Sequence, residues 1–85
     1  MRPVTVYTRA LCPYCSRALA LLKRKGAPVT EIDATFDSGK KKEMVERSGR
    51  WTFPQIFVGE THVGGCDELH ALDHKGGLDP LLQGV

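Results

Sequence analysis

The chain has 85 residues, of which 41% are hydrophobic and 26% charged, and its formal net charge at pH 7 is +2. This length has room for one domain, so residues 1–85 are expected to form a single domain of ordinary globular composition. The sequence has no apolar run that could span a bilayer and no secretory-signal pattern at its start, so we expect a cytoplasmic protein that does not bind membranes.

Basic side chains are concentrated in two short runs, Lys23–Lys25 and Lys40–Lys42. Both runs fall within helical patterns whose opposite face is apolar, which is typical of a solvated helix surface. Aromatic residues are not interleaved with these charges, as they would be in a base-stacking platform. The sequence therefore predicts no nucleic-acid partner.

The first half of the chain predicts a strand, a helix and a second strand. Val4–Thr8 is β-branched and aromatic, as a buried strand would be. A helix follows from Pro13 to about Lys25 and ends at Gly26, and Pro28 to Asp33 gives the second strand. A strand, a crossover helix and a strand make a right-handed parallel unit.

The second half predicts a helix, a hairpin and a further helix. Asp37–Gly39 is predicted as the turn and cap of a helix that reaches about Ser48. The hairpin strands are Gln55–Val58 and Thr61–Val63. A helix follows from Asp67 to about His74, and then a short turn over Leu78–Gln83. The hairpin adds two antiparallel strands to the parallel pair. The whole chain thus predicts an α/β fold, β-α-β then α-β-β-α, with a four-stranded mixed sheet and helices on both faces.

A Cys-Pro-Tyr-Cys motif, Cys12–Cys15, lies between the end of the first predicted strand and the start of the first predicted helix. Pro13 suits the first helical position, which places Cys12 at the helix N-cap. Unpaired amides and the positive end of the helix dipole favour a thiolate there, and Arg9 could add a positive charge. In this context the pair predicts a thioredoxin-like redox centre.

The two cysteines are not expected to be equivalent. Cys12 falls at an exposed helix start, whereas Cys15 is followed by Ala18, Leu19 and Leu22 at the spacing of a buried helix face. We therefore expect Cys12 to attack and Cys15 to resolve.

With this motif and element order, the chain resembles the small bacterial dithiol glutaredoxins of the thioredoxin fold. The resemblance covers nearly the whole chain and extends to these segments: Tyr7-Thr8, Lys25-Gly26, Arg47–Arg50, Thr52–Phe57, Gly64–Asp67 and Gly76–Leu78. It implies a glutathione-dependent thiol–disulfide oxidoreductase that reduces glutathionylated proteins and protein disulfides. It also implies recycling through NADPH and glutathione reductase, and ribonucleotide reductase as one protein client. A monomer is expected.

The resemblance implies a glutathione site made of three parts. In Thr52-Phe53-Pro54 it implies a cis bond before Pro54, which would expose the backbone N–H and C=O of Phe53 to the peptide thiol. Gly65, Cys66 and Asp67 would form the second part: Gly64 and Gly65 are free to adopt positive φ just before a helix start, where amides can converge on a carboxylate.

The third part consists of side chains that flank the nucleophile. Arg9 would favour the thiolate and meet a substrate carboxylate, and Tyr14 would flank the approaching disulfide. Two departures from the family's pattern affect one anchoring contact: Trp51 stands where some relatives carry a polar or basic residue, and Phe53 replaces the commoner valine. Arg50 or Lys41 could supply that contact. Cys66 would contribute its backbone rather than redox chemistry.

Parts of the sequence are compatible with three other functions. His62, His70 and His74 could suggest a metal site, but their spacing brings no four ligands together, so we expect surface histidines and no metal. A bridged iron–sulfur cluster is disfavoured by Pro13 and by the competing thiol of Cys15. A general disulfide reductase served by thioredoxin reductase remains the alternative, which turnover with each reductase system distinguishes.

Overall fold

The structure is a computed structural model, and it describes residues 1–84. Its elements follow in the order β1 (Val4–Thr8), α1 (Pro13–Arg24), β2 (Val29–Asp33), α2 (Ser38–Ser48), β3 (Gln55–Val58), β4 (Thr61–Gly64), α3 (Cys66–His74) and α4 (Leu78–Gln83). Within the described residues, no helix is both long enough and apolar enough to cross a bilayer.

The four strands form one mixed sheet in the order β2-β1-β3-β4. β1 lies parallel to β2, with Val4 opposite Val29, and antiparallel to β3, with Val4 opposite Val58. β3 and β4 form the antiparallel hairpin, which is irregular between Ile56 and Phe57. The predicted four-stranded mixed sheet is therefore confirmed.

Helices cover both faces of the sheet, as predicted. On one face Val6 and Ile56 pack with Leu22 of α1, Leu69 of α3 and residues of α4. Strand side chains alternate between faces, so the neighbouring strand residues Tyr7 and Phe57 point the other way and pack against Met44 of α2. The Tyr7 hydroxyl also donates a hydrogen bond to Glu43 and accepts one from Arg47, which ties α2 to β1.

The predicted caps of α2 are confirmed. The Asp37 carboxylate accepts the backbone N–H of Lys40 at 3.0 Å, as an N-cap residue does. Gly49 ends the helix in the left-handed conformation, with φ at 72°.

Three boundaries differ from the prediction, and one of them is the end of β4, which lies at Gly64 rather than Val63. β2 begins at Val29, because Pro28 accepts a bond from the Val4 amide but has no N–H of its own to donate. α3 begins at Cys66 rather than Asp67, with Gly65 as its N-cap. The predicted short turn after Gly77 is a six-residue helix whose Leu78 and Leu82 are buried in the core.

Candidate functional site

Cys12 occupies the N-cap of α1, with Pro13 at the first helical position. Its backbone is extended, and its sulfur accepts the backbone N–H of Cys15 at 3.2 Å. Helix-start amides and the positive end of the helix dipole are groups that interact favourably with negative charge.

Cys12 and Cys15 are both buried. The expectation of an exposed Cys12 is wrong: 7% of this residue is accessible, compared with 3% of Cys15. Burial, together with a hydrogen bond to the Cys12 sulfur, raises the pKa of the Cys15 thiol to about 12. Cys15 is therefore protonated at neutral pH.

A groove of about 310 Å³ lies on one side of the redox pair. It is lined by Tyr14, Arg50, Thr52, Phe53, Pro54, Gly65, Cys66, Asp67 and Glu68. The Phe53–Pro54 bond is cis, as the resemblance implies, and the carbonyl oxygen of Phe53 lies 4.0 Å from the Cys12 sulfur. Every residue assigned to glutathione binding from the sequence, except Arg9, thus lines one groove.

Arg9 lies on the other side of Cys12, in a second groove. This groove has a volume of about 520 Å³ and is lined by Thr8, Arg9, Leu11, Cys12, Pro13, Cys15, Ser16, Leu19 and Glu31. The Arg9 guanidinium lies 6.0 Å from the ring centroid of Phe53. Arg9 therefore flanks the redox pair but does not line the groove that holds the other predicted residues.

The start of α3 presents amides to the first groove. Glu68 reaches back and accepts the N–H of Gly65 at 2.7 Å, and it pairs with Arg50 at 2.8 Å. The Gly65 amide is the main cause that lowers the pKa of the Glu68 carboxyl. The amides of Cys66 and Asp67 have no partner within the helix, so they are the donors that a bound carboxylate could use.

Only one of the two glycines before α3 uses a positive φ. Gly64 has φ at 118°, whereas Gly65 is extended and does not use its freedom to adopt a positive φ. A Cβ on Gly64 would lie 2.6 Å from the Glu68 carboxylate and 3.1 Å from the Arg50 guanidinium. The Arg50–Glu68 pair therefore closes tightly over Gly64.

Arg50 is the cation that lines the first groove. The Trp51 side chain is 77% exposed and lines neither groove, and Lys41 is an exposed residue of α2 that also lines neither. Of the two residues considered for the missing anchoring contact, the structure therefore places Arg50 at the groove and Lys41 away from it.

Gln55 and His62 support the Thr52–Pro54 segment, and sequence reasoning missed this role. Gln55 is fully buried, and its amide nitrogen donates to the carbonyl and to the hydroxyl of Thr52 at 2.9 and 3.0 Å. His62 bonds the Gln55 amide oxygen at 2.8 Å and lies on the Phe57 ring. Burial lowers the pKa of His62. The expectation of a surface histidine at this position is wrong.

Cys66 and His70 form a separate local contact on α3. The His70 ring nitrogen Nδ1 lies 2.9 Å from the carbonyl of Cys66 and 3.4 Å from its sulfur. His70 is half-buried rather than on the surface, whereas His74 is exposed. Burial raises the pKa of Cys66. Among residues 1–84, no three His, Cys, Asp or Glu side chains are placed to hold a metal ion.

Known proteins of one family are similar to this chain. A family model described as Glutaredoxin matches residues 4–63. Glutaredoxin 3 of Escherichia coli (strain K12) is 53% identical over 83 residues, which are 98% of this chain and 100% of that protein. Glutaredoxin of Pseudomonas aeruginosa is 52% identical over 82 residues, 96% of this chain and 98% of that protein.

Solved structures give the same result. The solution structure of glutaredoxin from Brucella melitensis superposes with a TM-score of 0.84 at 61% identity, covering 96% of this chain and 89% of that one. The crystal structure of a buckwheat glutaredoxin–glutathione complex superposes with a TM-score of 0.86 at 32% identity, covering 96% of this chain and 77% of that one. From the family match and relatives of nearly equal length, the chain belongs to the glutaredoxin family of thiol–disulfide oxidoreductases.

Proposed function

We propose that the protein is a glutathione-disulfide oxidoreductase that reduces glutathionylated proteins and protein disulfides. Cys12 is the nucleophile and Cys15 the resolving thiol. The observation that carries the proposal is the position of the Cys12 sulfur: it caps α1, and it lies 4.0 Å from the Phe53 carbonyl at the end of the first groove. A disulfide held in that groove is presented to the nucleophilic sulfur of Cys12.

On a glutathionylated protein, the reaction needs Cys12 alone. The Cys12 thiolate attacks the glutathione sulfur, the mixed disulfide with glutathione forms, and the client leaves as a thiolate that takes a proton. A second glutathione thiolate then attacks that mixed disulfide, so that glutathione disulfide leaves and the Cys12 thiolate is restored.

The first groove offers each part of glutathione a matching group. The backbone N–H and C=O of Phe53 pair with the extended tripeptide as an added strand. The amides of Cys66 and Asp67 receive one carboxylate at the positive end of α3, and the Asp67 carboxylate meets the adjacent amino group. Arg50 offers its guanidinium to the other carboxylate. Tyr14, which is 53% exposed, covers the disulfide from the side.

On a protein disulfide, both cysteines take part. Cys12 attacks one client sulfur and forms a mixed disulfide. Cys15 then loses its proton and attacks the Cys12 sulfur, which releases the second client thiol and leaves a Cys12–Cys15 disulfide. Two glutathione molecules reduce that disulfide to the dithiol and become glutathione disulfide. The raised pKa of Cys15 makes its deprotonation a demanding step of this route.

The same proposal extends to the cellular context. Residues 1–85 act as one glutaredoxin domain, as a monomer in the cytoplasm and without a metal. Glutathione reductase and NADPH regenerate the glutathione, and ribonucleotide reductase is one candidate client. Bacterial relatives of nearly equal length carry the glutaredoxin name, which supports this setting.

A coupled assay tests the proposal. Reduction of a cysteine–glutathione mixed disulfide is followed through NADPH consumption by glutathione reductase, for the wild type and for Cys12→Ser, Cys15→Ser and the matched control Cys66→Ser. We expect activity in all but Cys12→Ser. An inactive wild type that turns over instead with thioredoxin reductase would refute the glutathione dependence, and full activity of Cys12→Ser would refute the assigned nucleophile.

A further inference from the structure

Two large apolar side chains are exposed to solvent in the loops that follow β1 and β2. Leu11 is 99% exposed and Phe36 is 100% exposed. Single exposed apolar residues are ordinary on a protein surface. These two, however, lie in the loops that leave the same end of the parallel strands β1 and β2, which is also the end that carries Cys12. We call Leu11 and Phe36 the Leu11–Phe36 patch.

Hydrogen bonds hold the two loops together. The N–H of Ala10 donates to the Thr35 hydroxyl at 2.7 Å, which joins the residues that precede Leu11 and Phe36 in the chain. The N–H of Thr35 in turn donates to the Asp33 carboxylate at 2.9 Å. The patch is therefore presented by loops with defined geometry rather than by free ends.

The backbone of Leu11 is in a conformation that its side chain disfavours. Its φ is 56°, in the left-handed region that bulky residues rarely adopt. With 99% of the residue exposed, packing within the protein does not compensate for this strain. A leucine held here gains contacts only when another molecule covers it.

We propose that the Leu11–Phe36 patch docks the client polypeptide whose disulfide Cys12 attacks, through an apolar side chain next to the client cysteine. Leu11 directly precedes Cys12 and lines the second groove with it, and the Ala10–Thr35 hydrogen bond holds the Phe36 loop beside the Leu11 loop. None of the first groove's residues belongs to the patch, so glutathione in that groove leaves the patch free.

The occupant is a polypeptide because a small thiol has nothing to place on this surface. Any sulfur that reaches Cys12 from the second groove carries its flanking residues past Leu11. Apolar flanking residues would bury Leu11 and Phe36, whereas polar ones would not. The substrate class is thus a protein or peptide disulfide with an apolar residue beside the cysteine.

The inference rests on the dithiol exchange proposed above but not on glutathione, and the test separates the two. Reduced protein is mixed with the symmetric disulfide dimer of either of two short synthetic peptides, whose single cysteine is flanked by leucine or by serine. Each reaction converts the Cys12 and Cys15 thiols and one peptide disulfide into the Cys12–Cys15 disulfide and two peptide thiols. The second-order rate constant is measured from peptide thiol release, with no glutathione present.

We expect the wild type to react about tenfold faster with the leucine peptide than with the serine peptide, which is less than full burial of one leucine can supply. Phe36→Ser is expected to reduce that preference several-fold and to leave the rate with the serine peptide within about twofold of wild type. The double variant Leu11→Ser/Phe36→Ser is expected to lose the preference. Trp51→Ser, which removes another exposed apolar side chain, is expected to retain it.

Either of two results would overturn the inference: equal wild-type rates for the two peptides, or an undiminished preference in the double variant. A loss of preference in Trp51→Ser equal to that in Phe36→Ser would also overturn it, since the effect would then not be local. If the glutathione-coupled assay fails but the wild type still prefers the leucine peptide, the glutathione dependence is refuted and the inference about the Leu11–Phe36 patch stands.

Discussion

The raised pKa of Cys15 predicts that this thiol reacts slowly even when it is the only cysteine. The variant Cys12→Ser/Cys66→Ser leaves Cys15 alone. It removes the hydrogen bond to the Cys12 sulfur but leaves the burial that is the larger cause of the shift. Burial disfavours the charged thiolate, so the thiol form persists to high pH.

The size of the effect follows from two opposing factors. At pH 8 a thiol with the ordinary pKa of about 8.5 is about one quarter ionised. A thiol with a pKa of about 12 is about 0.01% ionised, a difference of about 2,400-fold. A more basic thiolate is the better nucleophile, and by the Brønsted relation this pKa difference makes the Cys15 thiolate about 40-fold more reactive than an ordinary thiolate. Because the variant loses the contribution of the Cys12 sulfur to this shift, about 60-fold is the upper limit of the expected decrease in rate relative to an ordinary thiol.

The assay follows the reaction of this variant with an aromatic disulfide whose released thiolate absorbs visible light. The rate constant is measured from pH 6 to pH 11 under denaturing and native conditions, and Cys15→Ser/Cys66→Ser serves as the matched control that leaves only Cys12. In native protein the Cys15 rate is expected to keep rising above pH 9, by about tenfold per pH unit while the thiol is mostly protonated. A native rate that levels off near pH 9, as in the denatured protein, would refute the reasoning.

Three other predictions concern single contacts. Asp37→Ala loses the N-cap hydrogen bond of α2, so calorimetry should show a free energy of unfolding lower by about 1 kcal/mol and a Tm lower by about 4–8 °C. Asp37→Ser can still cap the helix and should retain most of the wild-type stability. Equal losses in the two variants would contradict the cap. The Gly65 amide lowers the pKa of the Glu68 carboxyl in the folded protein below its value in the unfolded chain, which is about 4.3. Ionised Glu68 therefore stabilises the fold above about pH 4.3, and this stabilisation is lost as the pH falls through the pKa of the folded protein. Glu68→Gln should therefore flatten the acid limb of the stability curve, measured by urea unfolding, and an unchanged limb would contradict this. Gln55→Ala frees Thr52 from two hydrogen bonds, so the KM for a cysteine–glutathione disulfide should rise several-fold in the folded variant, whereas an unchanged KM would make Gln55 only structural.

Much of the fold could be predicted because the signals are local. The β-branched run of Val4–Thr8, the caps at Asp37 and Gly49, and the Cys12–Cys15 motif each lie within a few residues of the feature that they specify. The element order then restricts the sheet topology, since a crossover helix makes β1 and β2 parallel.

The missed features join residues that are far apart in the chain. Arg50 pairs with Glu68 across 18 positions, and no spacing rule connects them. The burial of Cys12 has the same origin, because the Phe53 carbonyl that lies beside its sulfur comes from a loop 41 residues away. Sequence patterns report helix faces and caps, whereas the lining of a groove between loops depends on the assembled fold.

The most direct test of the central claim is the position of a glutathione bound to Cys12. The Cys15→Ser protein is treated with glutathione disulfide, and backbone amide NMR shifts are compared with those of the untreated variant. We expect a mixed disulfide on Cys12 and the largest shifts at Phe53, Cys66 and Asp67, in the first groove. Glutathione on another cysteine, or largest shifts at Leu19 and Glu31 in the second groove, would contradict the proposed nucleophile or the proposed glutathione site.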